Sequence, residues 1–376
     1  MEKITYLDNA ATTKPFAELA TIFADNFNNF YNASAVYSLG VSVRRKIDSA
    51  RKTICKCLHG EHGNIIFTAS ATEADNLALS MFKPRANNSL AVFIGEHPAV
   101  YQKAKALENT GAKVIYLPSN SSGQVDNIES LIDSSTSFVS IMHVSNETGA
   151  INDIAKIVKK IKQINPKAVV HSDGVQAFGK IPVNLRELGV DLYTISAHKI
   201  YGPKGIGALW VKNGVNINPI IYGGGQENNI RSGTENVTGI LSLEYCAQKV
   251  VTDMQSNYTI VQKYRNEFIE TLKSNNLEFV VNGNGSPYIL NITFADIRGE
   301  VLLHSLEKHG IYISTGSACS SKKPDNRTLK AMGKTDKQIQ GTVRISFSPY
   351  EDLDIKYITK MIATEVKELQ SKIKGK

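Results

Sequence analysis

The chain has 376 residues, more than one hydrophobic core comfortably serves and suited to two domains. Its 42% hydrophobic and 21% charged residues describe a globular protein; no window nears the roughly 18 apolar residues of a membrane span, and the start at Glu2 is unlike a secretory leader. The net charge of +8 is spread over lysines such as Lys159, Lys160, Lys162 and Lys167 rather than aromatic-interleaved patches, so a solvated helix face is expected and direct nucleic-acid binding is not.

Between residues 64 and 209, β-rich runs alternate with helical patterns. "NIIFT", "LAVFIG", "KVIYLP", "FVSIMHV", "AVVHSD", "DLYTIS" and "GALWV" read as strands, with helices over 72–82, 99–110 and 154–164 among them. This alternation predicts an α/β domain with a mostly parallel, seven-stranded sheet covered on both faces. A long helical stretch over 238–273 follows. Then come "PYILNITF", a helix over 298–309, "GIYIS", a cysteine-bearing loop, "GTVRISFS" and a last helix over 353–372. This second block reads as a smaller α+β domain. The expected division is 15–250 for the large domain and 251–376, together with 1–14, for the small one.

Ligands of such sheets bind beyond the carboxyl ends of the strands. The polar residues there are informative. "SAHKIYGPKGIGALWV" places Ser196, His198 and Lys199 at one strand end, where desolvation and neighbouring cations favour a nucleophilic amine. "HSDGVQAFGK" brings Asp173 and Gln176 to the adjacent end, and a carboxylate opposite a reactive lysine matches a pyridoxal phosphate arrangement. "FTASATEADNLAL" opens a helix at an anion site with Thr72, "GEHPAV" sets His97 past a strand, and "VSNETGA" supplies Asn146. Singly, each has a plain alternative: surface lysine, helix cap at Asp173 or Thr72, surface ion pair at Arg344. Their convergence on one sheet edge is the stronger signal.

Four cysteines form no disulfide framework, which agrees with a reducing, cytoplasmic compartment. Cys55, Cys57, His59 and His62 lack the spacing of a standard zinc module and read as a helix end stopped by Gly60, so no metal is expected. Cys246 falls in a helical run. Cys319 differs, lying among glycine, serine and lysine in "STGSACSSKKPD" without a histidine within nine residues.

Nearly end to end, the sequence resembles the NifS/IscS group of cysteine desulfurases, fold-type I, class V aminotransferase-like pyridoxal phosphate enzymes. The likeness rests on "YLDNAATT", "FTASATEADNLAL", "EHPAV", "VSNETGAI", "HSDGVQAFGK", "SAHKIYGPKGIGAL", "GGGQENNIRSGTENV", "STGSACSS" and "VRISFS". It implies that Lys199 is the Schiff-base lysine, Asp173 the partner of the pyridine nitrogen, Gln176 and Asn146 neighbours of the ring hydroxyl, and His97 the stacking histidine. Thr72, Ser196 and His198 match phosphate ligands; Thr234 matches one donated by the second subunit of a homodimer. Arg344 matches the arginine that holds the substrate carboxylate, assisted by Asn32, and Cys319 the cysteine that becomes a persulfide.

The implied reaction converts L-cysteine to L-alanine and passes sulfur from Cys319 to an acceptor protein, an iron–sulfur scaffold or a thiolation enzyme. The cysteine loop needs mobility for both visits, and His97 or the substrate's own thiolate replaces the missing base, with Lys322 and Lys323 nearby in sequence. Ser70, Ser145 and Tyr37 depart from the group's commoner glycine, asparagine and histidine, leaving the main chemical groups in place. The alternatives are a selenocysteine lyase or another β-eliminating pyridoxal phosphate enzyme, and an inert sulfur-transfer docking protein.

Overall fold

The computed structural model describes residues 4–315 and 326–374. Cys319, Lys322 and Lys323 lie outside the described residues. After a first short strand, Thr5–Tyr6 (β1), seven strands make the large sheet: Gly63–Thr68 (β2), Ser89–Phe93 (β3), Lys113–Leu117 (β4), Thr136–Ser140 (β5), Val169–Asp173 (β6), Leu192–Ser196 (β7) and Gly207–Lys212 (β8). Their order is β2-β8-β7-β6-β5-β3-β4. β8 is antiparallel to both β2 and β7, whereas the remaining neighbours pair in parallel.

Period-two alternation along the strands splits their side chains between two cores. Ile65 and Phe67 of β2 join Phe93, Val170 and Ile195 on one face. There they meet the helices Ser38–Cys57 (which follows the helix α1, Leu19–Asn28, and is α2), Ile154–Ile164 and Val237–Thr252. Ile66 joins Leu90, Val92 and Leu209 on the other face, under Ala71–Leu79 (α3) and Pro98–Asn109 (α4). In Ile154–Ile164, Ile154, Ile157, Val158 and Ile161 are buried while its lysines stay outward: Lys160 pairs with Glu129, and Lys162 with Asp191 at 2.7 Å. That helix face is solvated and ion-paired, as its composition suggests.

The second core surrounds an antiparallel sheet of Thr342–Ser346, Ile289–Phe294 and Phe279–Asn282, in that order. Helices Met254–Ser274, Gly299–Glu307 and Ile355–Lys374 accompany it. Leu7 and Ala10 from the start of the chain belong to this core as well. β1 pairs in parallel with Ile311–Tyr312, and Ser346 donates its N–H to the Leu7 carbonyl at 2.7 Å. The chain's first residues are thereby laid beside the strand that carries Arg344.

The long helical stretch divides into Val237–Thr252 and Met254–Ser274. At Asp253 (φ −85°, ψ −2°) the carboxylate accepts from Tyr350 Oη at 3.1 Å and pairs with Lys249 at 3.4 Å. Aspartate is a weak helix former because its side chain competes for local partners. The Cys55–His62 segment ends α2: Gly60 N–H bonds the Cys55 carbonyl at 2.8 Å, and its own carbonyl accepts Trp210 Nε1 at 2.8 Å. A Cβ at Gly60 would come within 2.6 Å of that indole nitrogen, so the glycine is needed for close packing. No helix among the described residues is long and apolar enough to cross a membrane.

Candidate active site

The strand-end residues converge. Thr72, His97, Asn146, Asp173, Gln176, His198, Lys199 and Arg344 all line one cavity of about 270 Å³, near the lower end of the range for small-ligand sites. A larger groove of about 1340 Å³, lined by Tyr6, Lys14, Lys204, His309 and Glu351, contains none of these groups.

Lys199 sits just after β7. Its Nζ donates to the carbonyls of Ala10 at 2.6 Å and Ala11 at 2.7 Å. Beside it, burial and the charges of Lys199, Lys204 and Lys180 push the His198 imidazole down to about 4, so it is neutral at pH 7. His198 Nδ1 lies 3.2 Å from Thr12 Oγ1. His97 caps α4 by accepting the Ala99 N–H on Nδ1 at 3.2 Å, which leaves Nε2 to carry the proton of a neutral ring.

Asp173 ends β6 with only 5% of its surface exposed, and Oδ1 accepts the Val175 N–H at 2.9 Å. Burial raises its carboxyl from an ordinary 3.8 to about 6, against the downward pull of that hydrogen bond and of Lys199. Asp75 and Glu96, both buried, are held well above the carboxylate range by burial and by the charge of Asp173. Three buried acids therefore sit together, Asp75 and Asp173 in the cavity wall and Glu96 behind it.

The sign of the resulting pH dependence follows from linkage. Folded Asp173 keeps its proton to higher pH than the unfolded chain does, so stability falls as pH rises from 3.8 through about 6. Buried His143 and His171 and half-buried His198, depressed from 6.5 to about 4, about 3 and about 4, act oppositely and lose stability as pH falls below 6.5. Asp173→Asn isolates the carboxylate. In cofactor-free protein, its melting temperature should gain on wild type between about pH 4 and about pH 7, followed by circular dichroism. A gap that stays constant across that interval refutes the assignment.

At the start of α3, Ser70 Oγ accepts the Glu73 N–H at 3.2 Å, and the Glu73 carboxylate accepts the Ala69 N–H at 2.9 Å. The N–H groups of Ala71 and Thr72 have no partner among the described residues, as expected for a first helical turn. β8 passes directly beneath: a Cβ at Gly207 would come within 2.7 Å of Ser70 C and 2.8 Å of Ala71 N. Glycine in "GIGAL" thus preserves an anion cradle that any side chain would fill.

Arg344 is 4% exposed, and it closes the far side. Nη2 donates to Asp8 Oδ1 at 2.7 Å and Nη1 to the Asn146 carbonyl at 2.9 Å, while buried Nε has no hydrogen-bond partner among the described residues.

Three sequence candidates lie off the cavity lining. Ser196 is buried at the end of β7, paired with Gly207. Asn32 is exposed and accepts the Ser34 N–H on Oδ1 at 2.8 Å. Thr234 is exposed beside a separate cavity of about 150 Å³ with Phe67, Thr68 and Gly205. Its segment is tied down by Glu227, which takes Arg51 at 2.7 and 2.8 Å, and by Arg231, which meets Glu73 at 2.7 Å. Conversely, Asp8, Ala10, Asp75 and Lys180 reach the site without having been singled out by sequence. Asp8 and Ala10 stood within "YLDNAATT", a motif whose residues carried no assigned role.

Comparison with known proteins decides the family. The aminotransferase class-V model matches residues 5–355. The chain belongs to the aminotransferase class-V family. Among its relatives in that family, a cysteine desulfurase of Nostoc sp. is 36% identical over 92% of this chain and 88% of its own length. A cysteine desulfurase IscS of Dictyoglomus turgidum is 35% identical over 94% of this chain and 93% of that one. A solved NifS-like protein superposes with a TM-score of 0.88 at 31% identity, each chain fully covered. SspA in complex with cysteine gives a TM-score of 0.80 at 28% identity, over 93% of this chain and 100% of that one. The family's cofactor is pyridoxal phosphate, and the cavity fits it: an amine at Lys199, a buried carboxylate at Asp173, and the Ala71–Thr72 cradle that Gly207 keeps open.

Proposed function

We propose that this class-V enzyme is a cysteine desulfurase that converts L-cysteine to L-alanine and captures the sulfur on Cys319 as a persulfide. The observation carrying this reading is the meeting of Lys199, Asp173 and Arg344 in one cavity, in a chain whose near full-length relatives are named cysteine desulfurase. Bound pyridoxal phosphate supplies a ring that takes up the electron pair released at a substrate carbon. Lys199 anchors that group and, when its amine is free, moves the proton at the substrate Cα. Asp173 would hold the proton on the ring nitrogen, Gln176 and Asn146 would serve the ring oxygen, and Thr72 and His198, with Ser196 behind them at the end of β7, would hold the phosphate. Arg344, with Asn32, would receive the substrate carboxylate, and His97 would stack on the ring and exchange protons through Nε2.

The Cys319 thiolate attacks the substrate sulfur; an S–S bond forms as the C–S bond breaks, and protonation completes alanine. Thr234 serves the site of a second copy in a homodimer, and 251–376 with 1–14 form the domain carrying Cys319. A cytoplasmic acceptor, an iron–sulfur scaffold or a thiolation enzyme, then takes the sulfur. Incubating the cofactor-loaded protein with sulfur-labelled L-cysteine tests this. Equal amounts of alanine and protein-bound label, mapped to Cys319, are expected. Alanine formed with Cys319 unlabelled overturns the persulfide step, and turnover of selenocysteine but not cysteine overturns the substrate.

A further inference from the structure

Lys180 has no part in the scheme above, yet it is one of the costlier side chains in the molecule. It is 6% exposed, and no carboxylate pairs with it among the described residues. A buried cation without a counter-charge is kept at the expense of stability, which is a mark of sites where charge has a use. Among the described residues its ammonium makes one hydrogen bond, from Nζ to Gln176 Oε1 at 2.5 Å. Lys180 and Gln176 are held in one compact turn after β6, where Ala177 and Phe178 donate to the Gly174 carbonyl and Lys180 N–H bonds that of Ala177.

Two ends of the Gln176 carboxamide are thereby specified. An ammonium only donates, so Oε1 must face Lys180. A carbonyl only accepts, so Nε2, 2.9 Å from the Ala10 oxygen, must be the end that faces it. The same Ala10 oxygen receives Lys199 Nζ at 2.6 Å, so the chain Lys180–Gln176–Ala10–Lys199 is continuous. With Oε1 committed, the second hydrogen on Nε2 is what Gln176 can offer to the cavity it lines. The site presents a donor at this point, backed by positive charge.

We propose that Lys180 is a positioning residue that locks the Gln176 carboxamide with its N–H edge toward the cleft, so that the site selects the deprotonated ring oxygen of pyridoxal phosphate. The inference rests on the cofactor assignment made above. Burial and the neighbouring charges of Lys199 and Arg344 also bring the Lys180 amine down to about 7, so its grip on Oε1 weakens as pH rises above neutral.

Lys180→Met keeps the length of the side chain and removes both charge and donor. The cofactor-loaded wild type and variant are titrated by the absorbance of the bound group. The pH midpoint of the absorbance change should rise by about one unit in K180M, the size expected for losing a nearby opposite charge. A crystal structure of cofactor-free K180M should show Gln176 released from its single orientation. If wild type takes up no pyridoxal phosphate, the cofactor reading fails; if it does and the midpoints coincide, the role of Lys180 fails alone. Should K180M not fold, K180Q carries the test: it keeps a donor but no charge, so a rise of about half a unit supports the proposal and no rise overturns it.

Discussion

Replacing Lys199 with alanine is expected to abolish covalent attachment of the cofactor and to lower turnover of L-cysteine by at least about a thousandfold. The amine has two successive tasks, anchoring the group and moving the Cα proton, and loss of a positioned acid–base group alone costs about 10²–10⁴-fold. The fold should survive. Nζ donates to two carbonyls, of Ala10 and Ala11, one of the bonds being exposed, and the backbone around 10–13 keeps its other ties, including Thr13 N–H to the His198 carbonyl at 2.9 Å. Circular dichroism should therefore give a melting temperature close to that of wild type. One further consequence is electrostatic. Lys199 pulls down the carboxyl of Asp173 and the imidazole of His198, so in K199A both should titrate at higher pH, readable for His198 by proton NMR. Turnover within tenfold of wild type would remove Lys199 from the chemistry.

Much of this site was legible because it obeys a backbone rule. Residues following parallel strands collect at one edge, so "FTASATE", "GEHP", "VSNE", "HSDG" and "SAHK" could be assigned to a common crevice from their order alone. The alternation of β-rich runs with helical patterns carried the sheet covered on both faces in the same way. What escaped was set by contacts distant in sequence. Lys199 and Ala10 are 189 residues apart, and Arg344 and Asp8 are 336 apart; nothing local in "YLDNAATT" signals that its backbone carbonyls face a lysine. β1 is two residues long and Phe279–Asn282 lies at a sheet edge, so neither has enough pattern to separate it from a loop. The break at Asp253 was hidden because its backbone stays in the helical region and neither glycine nor proline marks the stop. Lys180 was passed over for a different reason. A lysine is ordinarily a surface residue, and only its burial reveals the exception.

Arg344 poses the problem of separating substrate binding from support of the fold, because it does visible structural work. Its guanidinium bridges Asp8 near the start of the chain and the Asn146 carbonyl after β5, joining the smaller sheet to the cavity wall. Arg344→Met should raise the KM for L-cysteine by at least about thirtyfold, the cost of truncating a buried partner of a charged group being about 2–5 kcal/mol. The same change strands Asp8, although its 20% exposed side chain keeps some solvation, so stability should also fall, by about 1–3 kcal/mol. Adding Asp8→Asn removes the orphaned charge. If Arg344 binds substrate, the R344M/D8N double variant recovers most of the lost melting temperature while its KM stays high, a non-additivity confined to folding. Arg344→Lys gives an intermediate case, retaining the charge without the planar fork, and should sit about tenfold above wild type in KM. Recovery of both melting temperature and KM in the double variant would mean that Arg344 is a structural cross-brace and that the substrate carboxylate is held by another group.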